Sequence, residues 1–388
     1  KSVEEKWFKI RDELKPTEFL GYEYEKAEGK ILKILKNNKF IDTAKSGDQV
    51  EIITNQTPFY GESGGQVGDQ GTIYTSSCKI NINDTQKKMG DLFVHIGNVE
   101  EGSVKTGENV NLSIDTEKRK NSKANHSATH LLHESLRRTL GKHVMQKGSL
   151  VSPDRLRFDF SHNKPIEKNE MIKIDKAVNE MVEGSSEVQT RVMSPKEAVN
   201  LGALALFGEK YGEEVRVVFM GKEDNNFFST ELCGGTHVKN TKEIGKFKIV
   251  SQSSIASGVR RVEALRDKQL EKFEKTSNED KLNKDKSLSD QIQLIKKALK
   301  DLTINPNYNE KLSLTDNLKN LNKQFDLAKV KIIIADKSKN KIKDNKVQNF
   351  ILRKQILIDL PSKELRNIID KGKKEIKSGI IIACCVYE

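Results

Sequence analysis

Glu231-Leu-Cys-Gly-Gly-Thr-His-Val238 is the stretch on which the reading turns, and it has one partner about a hundred residues upstream, Asn125-His-Ser-Ala-Thr-His-Leu-Leu132. Each holds two metal-ligating side chains four positions apart: His126 and His130, then Cys233 and His237. On a helix, positions i and i+4 lie one above the other, so His126 and His130 aim two imidazoles at one point. Gly234 and Gly235 read as a tight turn that folds Cys233 and His237 back toward a common centre. Three histidines and a thiolate form a tetrahedral zinc set.

A lone His-x-x-x-His is commonly a pair of surface or capping residues, and a lone Cys-x-x-x-His arises by chance. The chain has only seven His and four Cys, however, and four of these eleven fall into the two spaced pairs. His133 lies three residues past His130 and can at most replace one of the four. His95, His143 and His162 have no partner at ligand spacing and read as structural. Four protein ligands ordinarily close a zinc site, whereas hydrolytic zinc keeps a position open. A ligand lets go, the metal expands its coordination, or the metal organises the pocket while another group activates water; spacing does not choose among these. No paired carboxylates or Ser-His-Asp arrangement offers another engine.

Working outward, residues 119–264 read as α+β. The expected elements are a helix from about Asn125 to Leu140 capped by Ser122 or Asn125, paired strands at Gln146–Val151 and Arg155–Phe160, a helix at Lys168–Glu183, and strands on either side of the Cys233 turn. Residues 18–118 read as β, with short apolar segments such as Lys30–Leu35, Val50–Thr54 and Asn109–Ile114. Turn signals such as Gly47-Asp48, Asn83-Asp84 and Gly97-Asn98 separate them, as in a small barrel or sandwich. Before these comes a helix over residues 1–17, with Val3, Trp7, Ile10 and Leu14 on one face. The abrupt start without Met suggests a piece of something longer.

After 264 the pattern changes. Thr276–Ser289 reads as a polar linker or frayed helix. Ile292, Ile295, Leu299 and Leu302, then Leu314, Leu318, Leu321 and Phe325, repeat at heptad-like spacing on either side of Pro306, so 265–330 predicts a helical hairpin. Residues 331–388 predict an incomplete α/β unit: a strand at Val330–Ala335, a loop to Lys346, a strand at Ile356–Leu360, a helix from about Ser362 to Ile376, and a buried strand at Gly379–Val386 that places Cys384 and Cys385 in the core.

Composition sets bounds. The 388 residues suggest two to three domains, with 32% charged residues and no apolar run approaching the ~20 residues of a membrane-spanning helix. Four cysteines do not make a disulfide framework, so a reducing, cytoplasmic setting is expected. Net charge is +12, and Lys268–Glu388 carries 27 Lys and Arg against 17 Asp and Glu. A basic tail fits a polyanionic partner such as nucleic acid, although a solvated surface has the same composition.

At this point the motifs resemble a known family. Thr57-Pro-Phe-Tyr-Gly-Glu-Ser-Gly-Gly-Gln-Val-Gly-Asp69, His126-Ser-Ala-Thr-His-Leu-Leu132, Gln146-Lys-Gly-Ser-Leu-Val151, Leu156-Arg-Phe-Asp-Phe-Ser-His162, Ala205-Leu-Phe-Gly-Glu-Lys-Tyr-Gly212, Glu231–Val238 and Ser257-Gly-Val-Arg-Arg-Val-Glu-Ala264 follow one another over about two hundred residues. In this the chain resembles the editing half of alanyl-tRNA synthetase and the free-standing alanyl-tRNA editing proteins. Gly61 and Gln252 depart from the Ala and Glu usual there.

The resemblance implies an N-terminal β-barrel and an α+β editing core shared with threonyl-tRNA synthetase. It also implies zinc on His126, His130, Cys233 and His237, and hydrolysis of the ester of mischarged Ser-tRNA(Ala) or Gly-tRNA(Ala). The tail then looks like the family's helical segment followed by its tRNA-binding domain, here incomplete and without the Gly-rich finishing motif linked to dimerisation. The ATP-dependent aminoacylation domain is absent, so this stretch alone is not expected to charge tRNA. The alternative is a non-catalytic tRNA-binding or assembly module in which zinc holds the core.

Editing answers a chemical difficulty: a small apolar pocket rejects an analogue with one extra hydroxyl by only about 10². A second site can instead select for that hydroxyl. Thr57 and Gln146 are the expected readers, with Gly64, Gly65 and Gln66 holding the terminal adenosine and aminoacyl group beside zinc. On that expectation Thr57→Val spares glycyl ester hydrolysis more than seryl. Arg260 and Arg261 are candidate tRNA phosphate contacts, with solvated surface as the other reading.

Overall fold

The computed structural model describes residues 2–204, 212–223, 226–336, 338–376 and 378–386. The chain divides into two compact units, Lys1–Phe273 and Glu274–Glu388. It is α+β, with seven α-helices among the described residues. The motif segment 205–211 lies outside those residues.

The first unit opens with helix α1 (Ser2–Glu13), which lays Trp7 and Ile10 on Leu35, Ile53, Leu92 and Val94. Six antiparallel strands then close a barrel: β1 (Lys26–Lys36), β2 (Gln49–Thr54), β3 (Gly71–Tyr74), β4 (Lys79–Lys88), β5 (Leu92–Glu101) and β6 (Asn109–Ile114). The order around it is β6-β3-β4-β5-β2-β1, and β6 pairs back with β1 to close the ring. Alternation does the work: Ile52 joins the barrel core while its neighbour Ile53 packs outward under α1. Two expected turns are corrected. Asn83-Asp84 lies inside β4 at a bulge between Ile82 and Asp84, and Gly97 lies inside β5 opposite Val50. A bulge shows the same small polar residues as a turn.

The second half of this unit is a four-stranded antiparallel sheet and a three-stranded one. The first runs β7 (Gln146–Val151), β8 (Leu156–Ser161), β13 (Val259–Arg266) and β12 (Phe247–Ala256) in spatial order; the second runs β9 (Gln189–Met193), β10 (Val215–Glu223) and β11 (Asn226–Leu232). Helices α2 (Thr116–Leu140) and α3 (Lys168–Glu183) pack Ala124, Ala128, Leu131, Leu132, Ile174 and Val178 into a core shared with Phe158, Phe160 and Val262. A short helix α4 (Pro195–Asn200) adds Ala198 to a smaller core with Val217 and Phe219. Helix α2 begins nine residues before the expected Asn125. Asp115 is its N-cap, accepting from the Lys118 N–H at 3.0 Å, and Ser122 and Asn125 are buried within the helix.

The second unit departs most from expectation. Helix α5 (Asp267–Asp301), of which Glu274–Asp301 belong to this unit, runs unbroken through Thr276–Ser289, because no Gly or Pro interrupts the chain there. Helix α6 (Leu314–Ala335) absorbs Val330–Ala335, expected as a strand; the β-branched run simply continues the helical repeat, burying Leu321, Ala328 and Ile333. Ile292 and Leu299 of α5 meet Leu321 and Ala328 of α6, as expected of a hairpin. Strand β14 (Asn340–Val347) occupies the expected loop and pairs antiparallel with β15 (Phe350–Ile358). Helix α7 (Leu365–Glu375) follows, and β16 (Gly379–Val386) pairs parallel with β15 as an edge strand. β16 is therefore not buried: Ile380, Ile382 and Val386 are exposed, Cys384 with them, and Cys385 is half-buried.

Candidate metal centre

The four expected ligands converge. His126 and His130 lie one turn apart on α2, and Cys233 and His237 flank the turn that follows β11. One donor atom from each lies within 4.8 Å of the others, among buried surroundings. Cys233 Sγ is 3.4 Å from His126 Nε2 and 3.3 Å from His237 Nε2. Around a tetrahedral metal with a sulfur bond of ~2.3 Å and nitrogen bonds of ~2.0–2.1 Å, an S···N edge is about 3.5 Å. Both Cys233 edges therefore match a tetrahedral metal ion, and the four donors lie close enough together to hold one.

The outer nitrogen of each imidazole faces a protein atom. His126 Nδ1 is 2.8 Å from Gln66 Oε1, and that oxygen also accepts the Thr236 N–H at 3.0 Å. The backbone donor identifies the amide oxygen, so His126 Nδ1 is the donor to it. His237 Nδ1 is 3.1 Å from Ser127 Oγ. His130 Nδ1 is 3.1 Å from Glu231 Oε2 without hydrogen-bond alignment, while Glu231 Oε1 is 3.1 Å from His133 Nδ1. Such outer partners fix tautomer and ring orientation around a metal.

Electrostatics agrees with ligation. Burial alone would raise the Cys233 thiol, but His126, His237 and His130 outweigh it and bring it well below its ordinary value. Burial likewise opposes charge on His130, yet Glu231 and Cys233 push it up to about 10. Burial next to His126 pushes His237 down to about 3. Glu231 is held well below the usual carboxylate range, its burial overcome by His130 and His133. The pocket thus favours the thiolate form of Cys233.

The Cys-Gly-Gly turn is held from both sides. The Tyr22 hydroxyl, from the barrel half, donates to the Gly234 carbonyl at 2.6 Å. Arg216 on β10 donates to the Cys233 and Gly235 carbonyls at 2.9 and 3.0 Å and stacks 4.4 Å from the Tyr22 ring centroid. A Cβ on Gly235 would lie 2.0 Å from His126 Cε1, so only glycine admits the ring there.

A cavity of about 430 Å³ opens beside this centre, with Gly64, Gln146, His133, Phe158 and Glu231 on its wall. Of the expected substrate-binding residues, Gly64 and Gln146 line this cavity. Gly65 sits with φ +88° and packs on Ser149, and its carbonyl accepts the Val151 N–H at 2.7 Å, stitching the glycine loop to β7. Gln66 stands behind His126 rather than on the wall. Thr57 is fully buried, its hydroxyl lies 2.7 Å from His95 Nε2, and it is not among the cavity-lining residues. Arg261 is held by Asp159 at 2.7 and 2.8 Å, whereas Arg260 has a buried Nε without a partner and a 3.5 Å contact to Gln252. His143 and His162, read as structural, hydrogen-bond to each other at 2.9 Å.

Three residues escape a search for ligands. Glu231 stands two positions before Cys233, at the end of β11, and Ser127 adjoins His126. Arg119 is fully buried at the start of α2. It pairs with Asp69 and donates to the Gly21 and Pro58 carbonyls at 2.6 and 2.7 Å, anchoring the ligand helix to the barrel loop.

Comparison with known proteins follows from this architecture. Residues 1–118 match the family described as tRNA synthetases class II (A), and residues 215–263 match the threonyl and alanyl tRNA synthetase second additional domain. Both matches are to parts of aminoacyl-tRNA synthetases. The chain is 42% identical over 397 residues to an alanine–tRNA ligase of Parvibaculum lavamentivorans, covering 100% of the chain and 43% of that protein. Corresponding ligases of Chelativorans sp. and Mesorhizobium japonicum are each 43% identical, covering 98% of the chain and 42% of the relative. The chain belongs to the alanyl-tRNA synthetase family, and it spans about two fifths of the length of these relatives.

Proposed function

We propose that this chain hydrolyses the ester bond of tRNA(Ala) mischarged with serine or glycine. The observation that supports it is the adjacency of a preformed His126, His130, Cys233 and His237 centre to a cavity of small-substrate size. The ion is zinc, which suits three imidazoles and one thiolate. When bound, it supplies Lewis acidity beside the cavity. The rest is positioning by the chain itself. Gln66, Ser127 and Glu231 hold the imidazoles; Tyr22 and Arg216 hold the turn; Gly64 and Gln146 line the place where an aminoacyl end enters. The barrel at 18–118 and the core at 119–264, the latter related to threonyl-tRNA synthetase, form the editing region. The basic residues of 331–388 contribute to tRNA binding. The setting is cytoplasmic.

Four protein donors favour one other reading, a closed structural metal in a tRNA-binding module. One experiment separates them: release of serine from purified Ser-tRNA(Ala), with Cys233→Ala alongside and zinc measured on both. Release that vanishes with the metal supports the hydrolase. Bound zinc and bound tRNA without release support the module.

A further inference from the structure

His143 and His162 are joined edge to edge. His143 Nε2 lies 2.9 Å from His162 Nδ1, the ring planes differ by 21°, and the centroids are 5.2 Å apart. A ring nitrogen donates or accepts in the plane of its own ring, so two imidazoles bonded at so small a tilt lie side by side, not one over the other. They make one nearly flat plate, two rings wide. His143 is exposed and His162 half-buried. The bond takes one edge of each ring and leaves the faces for other contacts.

The plate is held in place. Ser161 Oγ donates to the His143 carbonyl at 2.6 Å and accepts the Met145 N–H at 2.9 Å, and the His162 N–H donates to the Gly258 carbonyl at 2.9 Å. It also stands next to the cavity. Met145, two residues from His143, is on the cavity wall and partly exposed, so at most ~7 Å of backbone separates the two. From the other side, Phe158 on that wall, Phe160 and His162 form a row of near-parallel rings with centroids 6.0 and 6.2 Å apart.

The chemistry of the occupant follows. A flat conjugated surface held rigid beside a cavity suits an unpaired base, and histidine is among the rings on which such bases stack. Lys142 and Lys164 are exposed here, and Arg260 is half-buried. Burial lowers His162, and His143, Arg260 and Lys164 add to that effect against Glu170. The His–His bond needs at least one neutral ring, because two charged rings are both donors. Cations beside a neutral plate match a strand that alternates phosphates with bases.

We propose that the His143–His162 plate stacks the penultimate base of the unpaired 3′ strand whose last nucleoside enters the cavity. This rests on the hydrolase reading above and extends it from the ester to the RNA that carries it.

The test uses the whole chain and tRNA(Ala) carrying 2-aminopurine, whose fluorescence is quenched by stacking, in place of the penultimate base. Wild type is compared with His143→Ala, His143→Gln and His143→Phe at several salt concentrations. Release of serine from unlabelled Ser-tRNA(Ala) is measured alongside. Wild type should quench the probe. His143→Ala should lose the quenching and bind about five- to hundredfold more weakly, with the dependence on salt unchanged because no phosphate contact is removed. His143→Gln, which keeps a hydrogen-bonding group but has no ring, should behave like the alanine variant. His143→Phe, which restores the ring without the bond, should recover most of the affinity and the quenching. Equal binding and quenching by wild type and His143→Ala overturn the plate, as does a phenylalanine variant no better than alanine. If wild type releases serine in that case, the hydrolase reading stands without the plate. Quenching that depends on the ring, in a wild type that releases no serine, keeps the plate and removes the hydrolase.

Discussion

Gln66 and Thr236, 170 residues apart, are joined twice: the Thr236 N–H donates to Gln66 Oε1 at 3.0 Å, and Gln66 Nε2 donates to Thr236 Oγ1 at 2.8 Å. The double link fixes the amide so that its oxygen meets His126 Nδ1. Gln66→Leu should therefore keep all four ligands yet weaken zinc binding about 10–100-fold, as loss of an outer partner does. Competition against a chelator of known affinity checks this; unchanged affinity would mean that His126 needs no such guide.

Metal uptake should follow pH with a slope of one proton. In the metal-free pocket Glu231 and Cys233 raise His130 to about 10, so the ring is protonated at neutral pH, and a metal must displace that proton. The surrounding histidines favour the Cys233 thiolate, so the cysteine is expected to add little to that release. Zinc affinity should rise about tenfold per pH unit between pH 6.5 and 8.5. A hundredfold rise per unit would show that the thiol is protonated in the empty site.

The barrel carries its own acid sensitivity. Burial pushes His95 down to about 4, against the opposing pull of the Ile52 carbonyl, whereas an unfolded histidine titrates near 6.5. A depressed folded value means that stability is complete above ~6.5 and is lost as pH falls toward 4, by about 3 kcal/mol for this residue. Comparing urea unfolding of wild type and His95→Gln at pH 7 and pH 4.5 should show a steeper loss in wild type. Thr57→Val, which leaves His95 Nε2 without its partner, should lower stability by about 1–3 kcal/mol and leave the seryl-to-glycyl ratio where it was.

Arg119 binds the ligand helix to the barrel loop through Asp69 and two carbonyls. A lysine has neither the planar fork nor enough donors for that set. Arg119→Lys should cost about 3–5 kcal/mol in chemical unfolding, because Asp69 is left buried and poorly paired. A loss below 1 kcal/mol would show that the carboxylate finds another partner.

The candidate metal centre was legible because ligand chemistry restricts such a site to few residue types at fixed spacing. His126, His130, Cys233 and His237 needed no knowledge of the rest of the fold. The partners behind them were not, since Gln66 reaches His126 only after the barrel loop folds across α2. Thr57 shows the converse. Its letter fits a hydroxyl reader, but its direction was set by the neighbouring strand, which brings His95 opposite. Local pattern also failed where two structures share one signature. Val330–Ala335 is β-branched and apolar, yet the helix begun at Leu314 had no reason to stop.

The two glycines of the Cys233 turn are interchangeable as letters and unequal in space. A Cβ on Gly234 meets nothing within 4 Å, whereas one on Gly235 runs into His126. One methyl group at the second position would thus push an imidazole aside while every ligand remained in the sequence. Loss of the metal in a descendant can leave the four donor letters untouched, and a survey that counts only donors would score such a silent relic as intact.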